Sequence, residues 1–145
     1  MIVIKFGGHA MTDEHGAFAH AIAEAMATGV TPVVVHGGGP QIGDALKVAG
    51  IQSSFVGGFR VTTPETFDVV ERVLAGEVGP AVAQSLVAHG VDAVALSGRT
   101  SRTLIAQPLT HLVDGTPADL GLVGVVTSVN PQSIQKLVAE GKVPV

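Results

Sequence analysis

The sequence predicts an α/β fold, a mostly parallel sheet with helices covering both faces. Short β-branched runs alternate with longer amphipathic stretches in the order strand, helix, strand, helix, which implies parallel strands joined by right-handed crossovers. Hydrophobic residues make up 46% of the 145 residues and aromatics only 3%. The apolar surplus is therefore alanine and valine, as expected of a sheet buried on both sides. The first two runs also end in glycine clusters, IVIKFGGH from Ile2 and VVVHGGGP from Val33. Glycine there lets backbone amides close on an oxyanion.

Taken in order, Ile2–Phe6 reads as a strand and Asp13–Ala27 as a helix closed by Gly29. Pro32–Val35 is the second strand, and Pro40–Val48 a helix closed by Gly50. Phe55–Val61, interrupted by Gly57-Gly58, reads as a hairpin or flap. Thr62-Thr63-Pro64-Glu65 starts a helix, with a hydroxyl cap, a first-turn proline and a glutamate at the positive end of the dipole. Phe67, Val70, Val73 and Leu74 share its apolar face. Gly76, Gly79 and Pro80 are expected to break or kink it before a second helical piece reaches His89. Ala93–Leu96 is a third strand. Ser97–Asp119 reads as a long excursion with one or two short hairpins, and Asp119–Val129 as extended. Asn130-Pro131 caps a helix ending at Gly141, and Val143–Val145 begins a strand whose edge would be open to pairing.

Composition narrows the function. The length fits one domain, and no apolar run approaches the roughly 18 residues of a membrane span. A formal charge of −4 with no Trp or Tyr argues against nucleic acid, which needs cations and stacking platforms. No cysteine is present, which excludes thiolate metal sites. The start shows no signal pattern, so the expected location is the cytoplasm.

Gly37–Gly39 stands between a strand and a helix, where amides and the helix dipole face an anion. The dinucleotide spacing fails because Ile42 holds the third glycine position, and there is no Gly-Lys-Ser/Thr for a phosphate loop. The His36–Gly39 run also fits an esterase oxyanion loop, but no serine is flanked by the required glycines. Lys5 lies inside the first strand, where an ammonium is unfavourable without a partner. It shares a face with Val3, and its length reaches past the strand end. Arg60, in the flexible stretch before the capped helix, could clamp a carboxylate bidentately. The histidines lack ligand spacing on any one helix, so no protein metal site is expected. His36 is positioned to anchor the glycine loop by hydrogen bonding.

IVIKFGGHAM, VVVHGGGPQI, GGFRVT, Leu96–Gly98 (LSG) and Asp119–Gly124 (DLGLVG), in this order, resemble the amino-acid kinase family. Within it they resemble the members that phosphorylate the side-chain carboxylate of N-acetyl-L-glutamate with Mg-ATP in arginine biosynthesis. The resemblance implies an α/β/α sandwich around an open, mostly parallel sheet. It implies that residues 1–145 form the N-terminal, amino-acid-binding lobe, without the C-terminal nucleotide lobe that doubles the family's length. By position, Lys5 resembles the lysine that stabilises the transferring phosphoryl group. Gly7, Gly8 and Gly37 resemble phosphate-binding positions, Gly38 and Gly39 the substrate pair, and Arg60 the clamp on the substrate α-carboxylate. The implied partners are N-acetyl-L-glutamate, ATP with its Mg2+ and a second copy in a homodimer. Three positions depart from the pattern. His9 replaces a frequent asparagine, Gly79-Pro80 a common Asn-Lys in the dimerisation helix, and Ser97–Ser101 (SGRTS) the usual SGKDG. Kinases of a related acyl amino acid, such as aminoadipate, and a non-catalytic binding or oligomerisation module are the rival expectations.

Overall fold

A computed structural model describes residues 2–7, 13 and 15–145; Gly8 and His9 lie outside the described residues. Strand β1 (Ile2–Phe6) leads to helix α1 (Ala17–Ala27), strand β2 (Pro32–His36) and helix α2 (Gly39–Val48). β1 and β2 are parallel, with Lys5 opposite Val35 and Phe6 opposite His36. Alternation turns Ile4 and Phe6 to one face, where Phe6 stacks on Phe18 of α1 with ring centroids 3.8 Å apart. α1 starts later than Asp13 because that carboxylate caps it from outside. Asp13 accepts from the N–H groups of Phe18 and Ala19 at 3.0 and 3.3 Å.

Strands β3 (Phe55–Val56) and β4 (Phe59–Arg60) form the expected hairpin. Gly57 and Gly58 both take positive φ, 56° and 85°, as a two-residue type I′ turn requires. Helix α3 (Pro64–Glu71) opens on Thr63, whose hydroxyl accepts from the Thr66 N–H at 3.2 Å.

Of the break or kink expected at Gly76–Pro80, the break does not occur. α3 passes through a π turn (Arg72–Val78) into helix α4 (Gly79–Ala88), and the junction residues all keep right-handed helical dihedrals. The wide turn supplies the reason. The Gly79 N–H reaches back five residues to the Leu74 carbonyl, so the ladder has already changed register where Pro80 lacks a donor.

Strand β5 (Ala93–Val94) is shorter than predicted, although the Leu96 N–H still meets the Val145 carbonyl at 2.7 Å. Strands β6 (Leu104–Pro108) and β7 (Gly124–Val129) pair antiparallel around a bulge at Ile105 and Ala106. The excursion is thus closed by one long ladder, with a single inner bridge between His111 and Pro117. Helix α5 (Gln132–Ala139) precedes strand β8 (Val143–Pro144). β8 is not an open edge: it pairs in parallel with β5 and packs on β2 and α5. Val143 is completely buried as a result.

The core gathers Ile22 of α1, Val34 of β2, Leu46 of α2, Val73 of the π turn, Leu86 of α4 and Val143 of β8. α5 packs on β2 and β8, its Ile134 lining a cleft with Val33, Val35, Leu96 and Val145. The architecture is α/β, and the parallel pairs β1–β2 and β5–β8 form its centre.

Candidate functional site

β1 and β2 end side by side. The Gly37 N–H donates to the Phe6 carbonyl at 2.9 Å, extending the pairing by one residue. Gly7 and Gly37–Gly39 therefore leave the same end of the same strand pair. Lys5 is exposed on the face opposite Phe6. Its Cε lies 3.8 Å from where a Cβ on Gly7 would stand, so the side chain runs forward towards that end. The structure brings Lys5, Gly7 and Gly37–Gly39 to one place.

Gly38 is the N-cap of α2, and its carbonyl takes the Ile42 N–H at 2.9 Å. Among the described residues no backbone carbonyl accepts the Gly38 or Gly39 N–H. Those amides, the positive end of α2 and an ammonium on the neighbouring strand are the elements of an anion cradle.

The loop is held from behind. The His36 Nδ1–H donates to the Gly37 carbonyl at 2.7 Å; a carbonyl only accepts, so Nδ1 carries the proton. Gly38 is buried, and a Cβ there would stand 2.4 Å from Leu74 Cδ2. A Cβ on Gly79 would stand 3.1 Å from His36 Nε2 and 3.2 Å from the Leu74 carbonyl. The sequence reading missed this π-turn buttress, because Gly79-Pro80 signals a break to any local rule.

Arg60 lies elsewhere in its contacts. Its guanidinium donates to the Ser53 hydroxyl and sits over the Phe55 ring, 4.6 Å from the centroid. Among the described residues its side-chain partners belong to its own hairpin, not to the glycine loops. The base of that hairpin is tied to the excursion. Thr62 N–H donates to the Leu120 carbonyl at 3.0 Å, and Leu122 N–H to the Thr62 carbonyl at 2.7 Å. Gly121 has φ 65°, and a Cβ there would stand 2.2 Å from the Thr62 carbonyl oxygen. At the start of α3 the Glu65 carboxyl is held below its ordinary value, first by its own backbone N–H and then by the Thr63 hydroxyl.

The strand-end glycine loops and the parallel α/β frame define a class of small-molecule kinase fold, and the comparisons agree. The amino acid kinase family model matches residues 1–145, and the chain belongs to that family. Among curated relatives, acetylglutamate kinase of Nocardia farcinica is 50% identical over 147 residues, covering 100% of this chain and 48% of the relative. Acetylglutamate kinase of Acidothermus cellulolyticus is 50% identical over 146 residues, covering 99% and 49%. The chain thus spans about half the length of the curated relatives it matches. Among solved structures, a Streptococcus mutans protein superposes with a TM-score of 0.85 at 29% identity, over 99% of this chain and 56% of that one. N-acetylglutamate synthase of Neisseria gonorrhoeae, solved with coenzyme A and N-acetyl-glutamate, shares the fold with a TM-score of 0.75 at 19% identity. It covers 99% of this chain and 32% of that one.

Proposed function

We propose that this chain is the amino-acid-binding lobe of an ATP-dependent acetylglutamate kinase. The observation that carries the reading is the placing of Lys5, Gly7 and Gly37–Gly39 at the same end of one strand pair, in a chain half identical to curated acetylglutamate kinases. Phosphoryl transfer asks a protein mainly to position groups and neutralise charge. A side-chain carboxylate oxygen of N-acetyl-L-glutamate attacks the γ-phosphorus of ATP, the bond to the leaving ADP oxygen breaks, and an acyl phosphate forms. In this reading the Gly38 and Gly39 amides orient the acceptor, and Gly7, Gly8 and Gly37 approach the phosphates. Lys5 neutralises the equatorial oxygens, which gain charge in the transition state. Mg2+ travels on the nucleotide phosphates. Arg60 clamps the α-carboxylate after exchanging Ser53 for it.

The nucleotide lobe belongs to the half of the relatives' length that this chain does not match. An open sheet face supports that division: Val3 and Val35 flank Lys5 and are 63% and 50% exposed. The acting protein is cytoplasmic and homodimeric in this proposal; among the described residues no helix is long and apolar enough to cross a membrane. The rival reading as a non-catalytic binding or oligomerisation module drew on an exposed final strand and an absent nucleotide lobe; the strand is not exposed, since β8 pairs with β5 and is buried.

The deciding assay offers Mg-ATP and N-acetyl-L-glutamate to the 145-residue chain, alone and with the other half of a relative. Turnover is expected only in the mixture. There, Lys5→Ala lowers kcat at least about a hundredfold, by analogy with losing one preorganised charge contact. An unchanged kcat removes Lys5 from the mechanism.

A further inference from the structure

The least expected element of the fold, the π turn, touches the most chemically suggestive one, the glycine loop. In an uninterrupted α-helix, residues five apart lie about 140° apart around the axis. The i→i+5 bond from Gly79 to Leu74 brings these two nearly into line, on the side facing β2. There Leu74 Cδ2 fills the space beside Gly38, with Val78 Cγ2 behind it, 3.8 Å from the same Cβ position. One turn later, bare Gly79 admits the His36 ring, whose other nitrogen holds the Gly37 carbonyl. Two consecutive residues of the loop are thus fixed by two residues one π turn apart.

We propose that the π turn is the template of the glycine loop, and that Leu74 is a positioning residue setting where the Gly38 and Gly39 amides point. Leu74 acts through Gly38 and touches no ligand. The inference rests on the reading of that pair as the substrate contact, but its geometry can be tested without a ligand. A regular α-helical path would swing Leu74 or Gly79 off this face, and the amides would lose their stop.

The test is a double-mutant cycle in the 145-residue chain, comparing Gly38→Ala, Leu74→Ala and their combination by denaturant unfolding and by 1H–15N spectra. The new methyl of Gly38→Ala meets the end of the Leu74 side chain, so that variant is destabilised. Leu74→Ala opens that space. The double variant is expected to have an unfolding equilibrium at least tenfold more favourable to the native state than the two single effects predict. Leu74→Ala alone is expected to shift the Gly38 and Gly39 amide resonances, and to weaken N-acetyl-L-glutamate binding in a titration of the same samples. If Leu74→Ala does not fold, Leu74→Met, which keeps the volume but lacks the branch, takes its place. If Gly38→Ala alone does not fold, recovery of folding in the double variant is the supporting result. Coupling below twofold, or destabilisation with the two glycine amides unmoved, overturns the proposal. Intact coupling and amide shifts in a chain that binds no N-acetyl-L-glutamate would support the template and sink the substrate reading instead.

Discussion

The two halves of this chain are held by different forces. The β1–α1–β2–α2 unit with the π turn is held by packing: Val34, Leu46 and Val73 are all nearly inaccessible, and even Gly38 is buried. The hairpin carrying Arg60 and the β6–β7 ladder are held by main-chain hydrogen bonds. Every residue of β6 and β7 is exposed, and the chief apolar anchor nearby is Leu120, only 1% exposed. The contrast fits the division of labour that the proposed kinase function asks for. An anion cradle has to be rigid before substrate arrives, whereas an arm proposed to exchange Ser53 for a carboxylate is not expected to be locked by a core. Regions with few buried contacts are also those that open locally without global unfolding.

The largest expected effect tests the packed half. Leu86 of α4 is fully buried in the shared core. Leu86→Ala should cost about 2–5 kcal/mol of global stability, read as a fall in denaturation midpoint with the denaturant slope unchanged. A cost below 1 kcal/mol would mean the core is not close-packed.

A smaller and more local effect is expected from Gly121→Ala. Its Cβ would run into the Thr62 carbonyl, which is backbone and cannot rotate away, and φ 65° disfavours any side chain. The Thr62–Leu120–Leu122 clamp should loosen, and hydrogen-exchange protection at the Thr62 and Leu122 amides should fall at least about tenfold. The unfolding midpoint should move far less than in Leu86→Ala. Equal losses in the two variants would show that the halves form one cooperative unit, and the comparison would fail.

The same division decides what could be read in advance. β1, β2, the glycine turns and the Thr63 cap follow from rules acting over a few residues, and they lie where the sequence puts them. The π turn was illegible because Gly76, Gly79 and Pro80 locally signal a break. Only the fit of Leu74 against Gly38 and of Gly79 against His36, from an element some forty positions away, favours continuing the helix. β8 was misread for a similar reason: its partner β5 lies fifty residues earlier, and nothing within Val143–Val145 shows that it is covered. The resting place of Arg60 depends on hairpin closure, which brings Phe55 opposite it. Periodicity identifies the hairpin but not what its side chains touch.

The smallest effect sharpens the comparison at the boundary between the halves, where α3 begins. Glu65 is fully exposed, and its carboxyl is held below the ordinary value of 4.5 by local hydrogen bonds. A carboxylate with a lowered folded-state pKa binds its proton more weakly in the native chain than in the unfolded one. Its stabilisation is therefore complete above about pH 4.5 and lost as pH falls through the lower folded value. Glu65→Gln should lower the midpoint slightly at pH 7 and by less at pH 3, flattening the profile between them. The loss should appear first as fraying of α3, in faster exchange at the Thr66 and Phe67 amides, because Glu65 and the Thr63 cap both act on the first turn of the helix. If the variant's deficit were instead the same at both pH values, the side chain would act through shape and not through charge, and the start of α3 would belong with the packed half.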